Sequence, residues 1–148
     1  MDESRFAVGH DTKGGTYKTV KYKKANAADN LLTTVEDYGL FLVSVMNGDG
    51  LSRDVFDEMV RHQVKIDENK YFGLGWEIYD NLGNGEYALA HGGADDGVQT
   101  QVFLLPKSKQ GLIIMTNVDE GYKVYERLLV NYLNHLGREI VDIEMNSK

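Results

Sequence analysis

The chain has 148 residues, of which 42% are hydrophobic and 26% charged, so its length and composition fit one globular domain of ordinary size. Sixteen basic residues against 23 acidic ones give a net charge of −7, which argues against nucleic acid as the main partner because phosphate binding needs a basic face. The absence of cysteine excludes a disulfide scaffold, a cysteine-based zinc site and a cysteine nucleophile.

Residues 1–30 are predicted to be an irregular lead-in, because their periodicity is weak and glycines interrupt a polar stretch. Over residues 18–24, lysines alternate with tyrosine, threonine and valine, which favours a solvated strand face over a nucleic-acid site. The charged start at Met1–Arg5 runs into no apolar segment, so no signal peptide is predicted.

Residues 31–66 are predicted to be a helical segment in two parts. Thr33 and Glu36 have the spacing of a capping box, in which each side chain satisfies a free backbone N–H of the other residue. Apolar residues then follow at helical spacing, and Asn47-Gly48 marks the end of this first helix. Ser52 is the predicted cap of a second helix with one apolar face.

An antiparallel sheet is predicted over residues 71–117. Apolar residues alternate with other residues from Tyr71 to Tyr79, which is typical of a strand with one buried face, and Trp76 and Tyr79 are interpreted as core and sheet-surface residues. Three more strands are predicted, at Glu86–His91, Val98–Leu105 and Leu112–Thr116. The connections between strands are too short for a parallel crossover, which needs a dozen residues or more, so the pairing is predicted to be antiparallel.

A final helix is predicted over residues 119–136. Asp119 can cap its first turn, apolar residues recur at helical spacing, and Gly137 marks its end, with a tail to follow. Together the elements predict a single domain over residues 1–148 of the α+β class, with an antiparallel sheet flanked by helices.

General catalytic and cofactor motifs are scarce in this sequence. Residues 83–88 match a dinucleotide fingerprint, but they lie between two predicted strands with no helix to receive a pyrophosphate. No serine lies in G-x-S-x-G or has a lysine three residues later. A metal site made by His91, Asp95 and Asp96 is disfavoured because the histidines lack metal spacing, and the two aspartates are interpreted as loop acids at a cleft edge. We therefore expect no cofactor and no metal.

Several segments resemble, in order and spacing, the closing part of a known family. They are residues 25–37 (ANAADNLLTTVED), 71–78 (YFGLGWEI), 90–94 (AHGGA), 97–106 (GVQTQVFLLP) and 111–117 (GLIIMTN). The sequence is similar here to the serine β-lactamase and penicillin-binding-protein superfamily, in the branch of class C β-lactamases and related esterases. The resemblance implies that the chain holds the C-terminal portion of a β-lactamase/transpeptidase-like fold.

By this resemblance, His91-Gly92-Gly93 occupies the K-T-G position on the substrate strand, and His91 is the candidate catalytic residue. An imidazole there could bind a carboxylate or assist proton transfer near the nucleophile. Gly92 and Gly93 would let a substrate lie against the strand, and the backbone N–H of Ala94 would be one of two oxyanion-hole donors. Histidine in place of lysine, and glycine in place of a hydroxyl residue, indicate an esterase-like or peptidase-like relative more than a true β-lactamase.

The family's nucleophile motif, S-x-x-K, does not occur in these 148 residues. Its second motif, Y-x-N or Y-x-S, is not supplied by residues 17–19 or 22–24, which lack Asn or Ser at the third place. We therefore expect a C-terminal fragment of a serine hydrolase acting on a lactam, ester or peptide, cut from a longer protein or naturally truncated, and inactive alone. A non-catalytic binding or assembly module is the alternative, and a metal-dependent hydrolase using His91 and Asp96 is disfavoured.

The expected partner of the complete protein is a small-molecule or peptide substrate. No nucleic acid is expected, and no membrane span, since no apolar stretch approaches the roughly 20 residues that one requires. In the family, two N-terminal strands pair beside the strand that corresponds to residues 112–116. Without them this strand is an exposed edge, so self-association through it is expected. The sequence fixes no compartment, although the resemblance is compatible with a periplasmic or cell-envelope location.

Overall fold

A computed structural model describes residues 6–18, 23–29 and 31–147, and its centre is one six-stranded sheet in which every neighbouring pair is antiparallel. The strands follow chain order across the sheet, so the predicted α+β class is confirmed. The strands are β1 (Val64–Asp67), β2 (Lys70–Phe72), β3 (Glu77–Leu82), β4 (Glu86–Asp95), β5 (Val98–Leu105) and β6 (Gln110–Thr116). The helices are α1 (Val35–Asn47), α2 (Arg53–Met59) and α3 (Tyr125–Asn146), with short 3₁₀ turns at Gly83–Gly85 and Gly121–Val124.

The two faces of the sheet have separate cores, because neighbouring side chains on a strand point to opposite faces. Helix α3 covers one face, and α1 with α2 packs against the other. The α3 core contains Tyr79, Ala88, Ala90, Phe103, Leu105, Leu129, Leu133 and Ile140. The α1 core contains Leu42, Trp76, Ile78, Leu89, Val102 and Leu104. The fold is therefore three layers thick. Trp76 is buried in the α1 core, as interpreted, whereas the interpretation of Tyr79 as a sheet-surface residue is wrong, because Tyr79 is buried in the α3 core on the opposite face.

The start of α1 differs by one residue from the predicted capping box. Thr34 is the N-cap, and its side chain accepts a hydrogen bond from the backbone N–H of Asp37 at 3.1 Å. Gly48 ends the helix with a φ of +71°, as predicted, because a left-handed residue at this position returns a free N–H to the last carbonyls. Ser52 caps α2 as predicted. The helical segment stops before Val64, where β1 begins.

The predicted strand from Tyr71 to Tyr79 is wrong, since two strands occupy this range. The backbone N–H of Gly73 donates to the carbonyl of Trp76 at 2.8 Å, which closes a tight loop between β2 and β3. Gly75 has a φ of +78°, a backbone conformation that residues with a side chain rarely adopt. A Cβ on Gly73 would collide with the carbonyl oxygen of Met59. The alternating apolar pattern continues through this loop, so the pattern does not indicate the turn that depends on these two glycines.

The predicted end of the last helix at Leu136 is also wrong. Helix α3 continues to Asn146, with a sharp break at Asn134, where φ is +53° and ψ is −126°. Gly137 lies inside the helix and lets its two segments approach closely, because a Cβ there would lie 2.5 Å from the carbonyl carbon of Leu129. Asp119 is not the cap of this helix, which starts at Tyr125 after a 3₁₀ turn.

The lead-in contains isolated β-bridges but no helix or strand in its described ranges, 6–18 and 23–29. Most of the strand face predicted over residues 18–24 lies outside the described residues. Across the part of the chain that the structure describes, none of the helices combines the length and the apolar character that a bilayer span requires.

Candidate functional site

The predicted site residues lie on a free edge of the sheet. Strand β4 pairs with β3 only as far as Ala90, which faces Glu77, whereas it pairs with β5 all the way to Asp95. Within the described residues, His91–Asp95 therefore has a partner strand on one side only. All five of these residues are exposed. A strand edge of this kind can add an extended segment of another molecule through main-chain hydrogen bonds.

His91 stands at the start of this edge, next to Trp76. The two rings meet edge to face, with centroids 6.0 Å apart and planes inclined by 73°. Trp76 is only 8% exposed, whereas His91 is open to solvent, so the indole forms a fixed apolar wall beside a free imidazole. An exposed imidazole with no ion-pair partner in the described part of the chain can donate to, or accept from, an incoming ligand.

The two glycines have different neighbours, because they face opposite sides of the sheet. Gly92 pairs with Gln101, and a Cβ on Gly92 would collide with the Gln101 side-chain amide, which already covers that side. Gly93 pairs with Thr100, and a Cβ there would find ordinary room, 3.4 Å from the hydroxyl oxygen. Gly93, on the His91 side, is therefore the less crowded of the two glycines.

Thr100 is a neighbour of the candidate site that the sequence motifs did not indicate. It faces Gly93 across the β4–β5 ladder, so its side chain emerges on the same side as that of His91. Met115 faces Thr100 in turn from β6 and is 36% exposed. A hydroxyl and a thioether thus lie on the same face of the sheet as the imidazole. Thr100 and Met115 are identified by the register between the strands, and short sequence motifs do not contain this information.

Ala94, the last of the predicted site residues, lies near the end of the free edge, and Asp95 and Asp96 follow it. Ala94 pairs with Gln99 near the end of β4. It is exposed, and it lies in the part of β4 that has no partner strand on the β3 side. The backbone N–H of Asp96 donates to the Asp95 carboxylate at 2.8 Å, so the two acids belong to a local turn. Across the residues that the structure describes, no group of three or more metal-binding side chains occurs, which gives the metal hypothesis no support.

The described serines have structural surroundings. Ser52 caps α2, the Ser108 hydroxyl donates to the Leu105 carbonyl, and the Ser147 hydroxyl donates to the Ile143 carbonyl at 2.7 Å. Ser44 lies within α1. The Ser108 side chain also hydrogen-bonds the buried Glu86 carboxylate. Among the described residues, none of these serine hydroxyls is hydrogen-bonded to a lysine or histidine base of the kind that activates a nucleophile.

A charged cluster lies away from His91, at the junction of α3 with β2 and β3. The ammonium of Lys70 contacts the carboxylates of Glu77, at 3.1 Å, and Glu144, and the Tyr79 hydroxyl donates to both. Burial raises the pKa of Tyr79, and the two carboxylates add to the effect. Burial opposes the charge of Lys70, but its hydrogen bond and ion pair with Glu144 and Glu77 raise its pKa overall. The cluster fixes the end of α3 to the sheet.

Comparison with solved structures finds the same fold in a penicillin binding protein from Bacillus halodurans. The match covers 62% of this chain at 22% sequence identity, with a TM-score of 0.53. The chain corresponds to only 28% of the length of that protein. No family model matches the sequence, and no curated protein is significantly similar to it. The comparison therefore supports a penicillin-binding-protein-like or β-lactamase-like fold.

Proposed function

We propose that this chain is the C-terminal part of a β-lactamase-like serine hydrolase and supplies its substrate strand. The observation that carries the proposal is the free edge His91–Asp95, with an exposed imidazole at one end and an open face at Gly93. The fold likeness to the penicillin binding protein from Bacillus halodurans supports it, and the family resemblance of the His91-Gly92-Gly93 segment implies a substrate strand at this position. The parent activity is acyl transfer from, or hydrolysis of, a lactam, ester or peptide.

In this proposal an extended substrate adds to the edge as a further strand. The backbone N–H of Ala94 donates to the carbonyl oxygen that becomes negative when a nucleophile attacks. His91 binds the substrate carboxylate or transfers a proton near the attacking oxygen. A serine of an S-x-x-K segment outside these 148 residues attacks the carbonyl carbon, the leaving amine or alkoxide takes a proton, and water later releases the acyl group. The chain alone therefore binds without reacting.

The test uses Trp76, the only tryptophan, as a reporter beside His91. Titration with a penicillin is expected to change its fluorescence reversibly, while intact mass stays unchanged after incubation with the penicillin or a fluorophosphonate. His91→Ala is expected to weaken binding about 10-fold or more, the effect of losing a hydrogen bond to a charged group. His135→Ala, which removes an exposed imidazole on α3, is the matched control. A covalent adduct, or equal affinity in wild type and His91→Ala, would contradict the proposal.

An assembly module is the second candidate, and it is favoured by two unpartnered surfaces. Strand β6 pairs with β5 only, so Gln110–Thr116 presents a free edge within the described sheet. Around α1, large apolar side chains are exposed: Leu31, Leu32, Val35, Leu40, Phe41 and Val43. A free strand edge beside apolar surface is a template for association.

We expect self-association through β6, detected as a dimer or larger species in sedimentation velocity. Met115→Lys places a charge on this strand, where edge lysines oppose strand pairing, so it should shift the population to monomer. Lys109→Ala, in the turn before β6, is the control for a change of charge nearby. A wild-type chain that remains monomeric at high concentration would remove the support for this module.

A further inference from the structure

The turn between β4 and β5 is packed directly against the lead-in segment. Gly97 is buried and has a φ of +71°. A Cβ on Gly97 would lie 2.6 Å from Cδ2 of Tyr17 and 2.7 Å from the Cα of Gly9. No side chain fits between these groups, so backbone and ring meet without a gap. Residues 8–17, named the strap here, therefore contact the far end of the free edge.

Asp119 joins the strap to this turn through both carboxylate oxygens. One accepts the backbone N–H of Gly97 at 2.7 Å, and the other accepts the hydroxyl of Tyr17 at 2.9 Å. The backbone of Asp119 also accepts the side-chain amide of Gln99 and donates to the carbonyl of His10. The hydrogen bond to Asp119 raises the pKa of Tyr17, followed by burial and by the nearby negative charges. One residue thus connects the lead-in, the turn and β5.

We infer that Asp119 and Tyr17 are positioning residues, which hold the β4–β5 turn and so fix the edge His91–Asp95 in the conformation that a ligand meets. The edge has a strand ladder on one side only, and strands of this kind open more readily than central ones. Its far end needs a second constraint, which the strap and Asp119 supply. The consequence for ligand binding rests on the proposed function, whereas the effect on strand opening does not.

Amide hydrogen exchange of the whole chain, measured by NMR, tests this inference without a ligand. Tyr17→Phe keeps the ring on Gly97 but removes the hydroxyl. Exchange at Gly97 and in the β4 edge is expected to accelerate about 10-fold, as for loss of a hydrogen bond to a charged group. Asp119→Ala should act more strongly. Asp119→Asn should largely restore slow exchange, because an amide oxygen can still accept from Gly97.

The control is Tyr132→Phe, which removes a hydroxyl from a residue of α3 that is 66% exposed. Core amides at Leu104 and Ile140 should exchange at the wild-type rate in every variant. Unchanged exchange at Gly97, or equal acceleration at the core amides, would overturn the inference. Failure of the wild type to bind penicillin would count against the proposed function alone, since the exchange pattern would still decide the role of the strap.

Discussion

Gly137→Ala is expected to lower the free energy of unfolding by about 3 kcal/mol, the upper range for overpacking a filled core. The two segments of α3 cross at this residue, and a Cβ there would lie 2.5 Å from the Leu129 carbonyl carbon and 3.1 Å from the backbone nitrogen of Val130. These are backbone atoms, which cannot rotate away as a side chain can. The two segments of α3 must therefore separate, and the core around Ile140 must open. Urea denaturation followed by far-UV circular dichroism measures the change.

Gly39→Ala provides the matched control, because Gly39 also lies within a helix. A Cβ on Gly39 would make an ordinary contact, 3.6 Å from Cδ1 of Ile113. Alanine favours helix over glycine by about 1 kcal/mol, so this variant should be as stable as the wild type or more so. If Gly137→Ala unfolded at the same urea concentration as Gly39→Ala, the close crossing of the α3 segments would be wrong.

Gly137 and Asp119 explain why the C-terminal region could not be predicted from the sequence. A glycine after an apolar helical pattern is a local stop signal, and an aspartate before such a pattern is a local cap. In the fold both residues contact groups outside these local patterns. Gly137 lies against the backbone of Leu129, and the Asp119 carboxylate accepts hydrogen bonds from Gly97 and Tyr17. Local patterns contain no information about such contacts, so they placed the helix end ten residues too early.

The antiparallel order of the sheet was predictable, because short connections leave few alternatives. The candidate site was predictable only in part. The HGG motif indicated His91, but the free edge exists because β3 starts as late as Glu77, after the loop closed by Gly73 and Trp76. Thr100 becomes a neighbour of the site only through its register with Gly93. Motifs name residues on one strand, whereas the surroundings of a site come from the pairing between strands.

Removing the charge of the Glu86 carboxylate is expected to lower the free energy of unfolding. It is 4% exposed, at the start of β4. Its carboxylate accepts the backbone N–H groups of Ser108 at 2.8 Å, Tyr87 at 3.0 Å and Lys107 at 3.2 Å, which fixes the turn after β5. Burial alone would raise the pKa of Glu86, but these donors outweigh it and lower the pKa below its ordinary value. Glu86→Gln should therefore cost about 2–3 kcal/mol at neutral pH, since the amide NH₂ faces a donor and the charge is lost.

The pH dependence of this cost has a definite sign. A carboxyl group whose pKa is lower in the folded state stabilises the fold above its unfolded pKa, and that contribution disappears as pH falls through the folded pKa. The difference in unfolding free energy between wild type and Glu86→Gln should stay constant from neutral pH to about pH 5.5 and narrow below about pH 4. Glu68→Gln, at an exposed residue of the β1–β2 turn, should show no such difference at any pH. A gap that persisted unchanged at pH 3 would mean that the pKa of Glu86 is not lowered by folding and that Glu86 contributes through packing, because protonation of the unfolded chain below about pH 4 should otherwise reduce the gap.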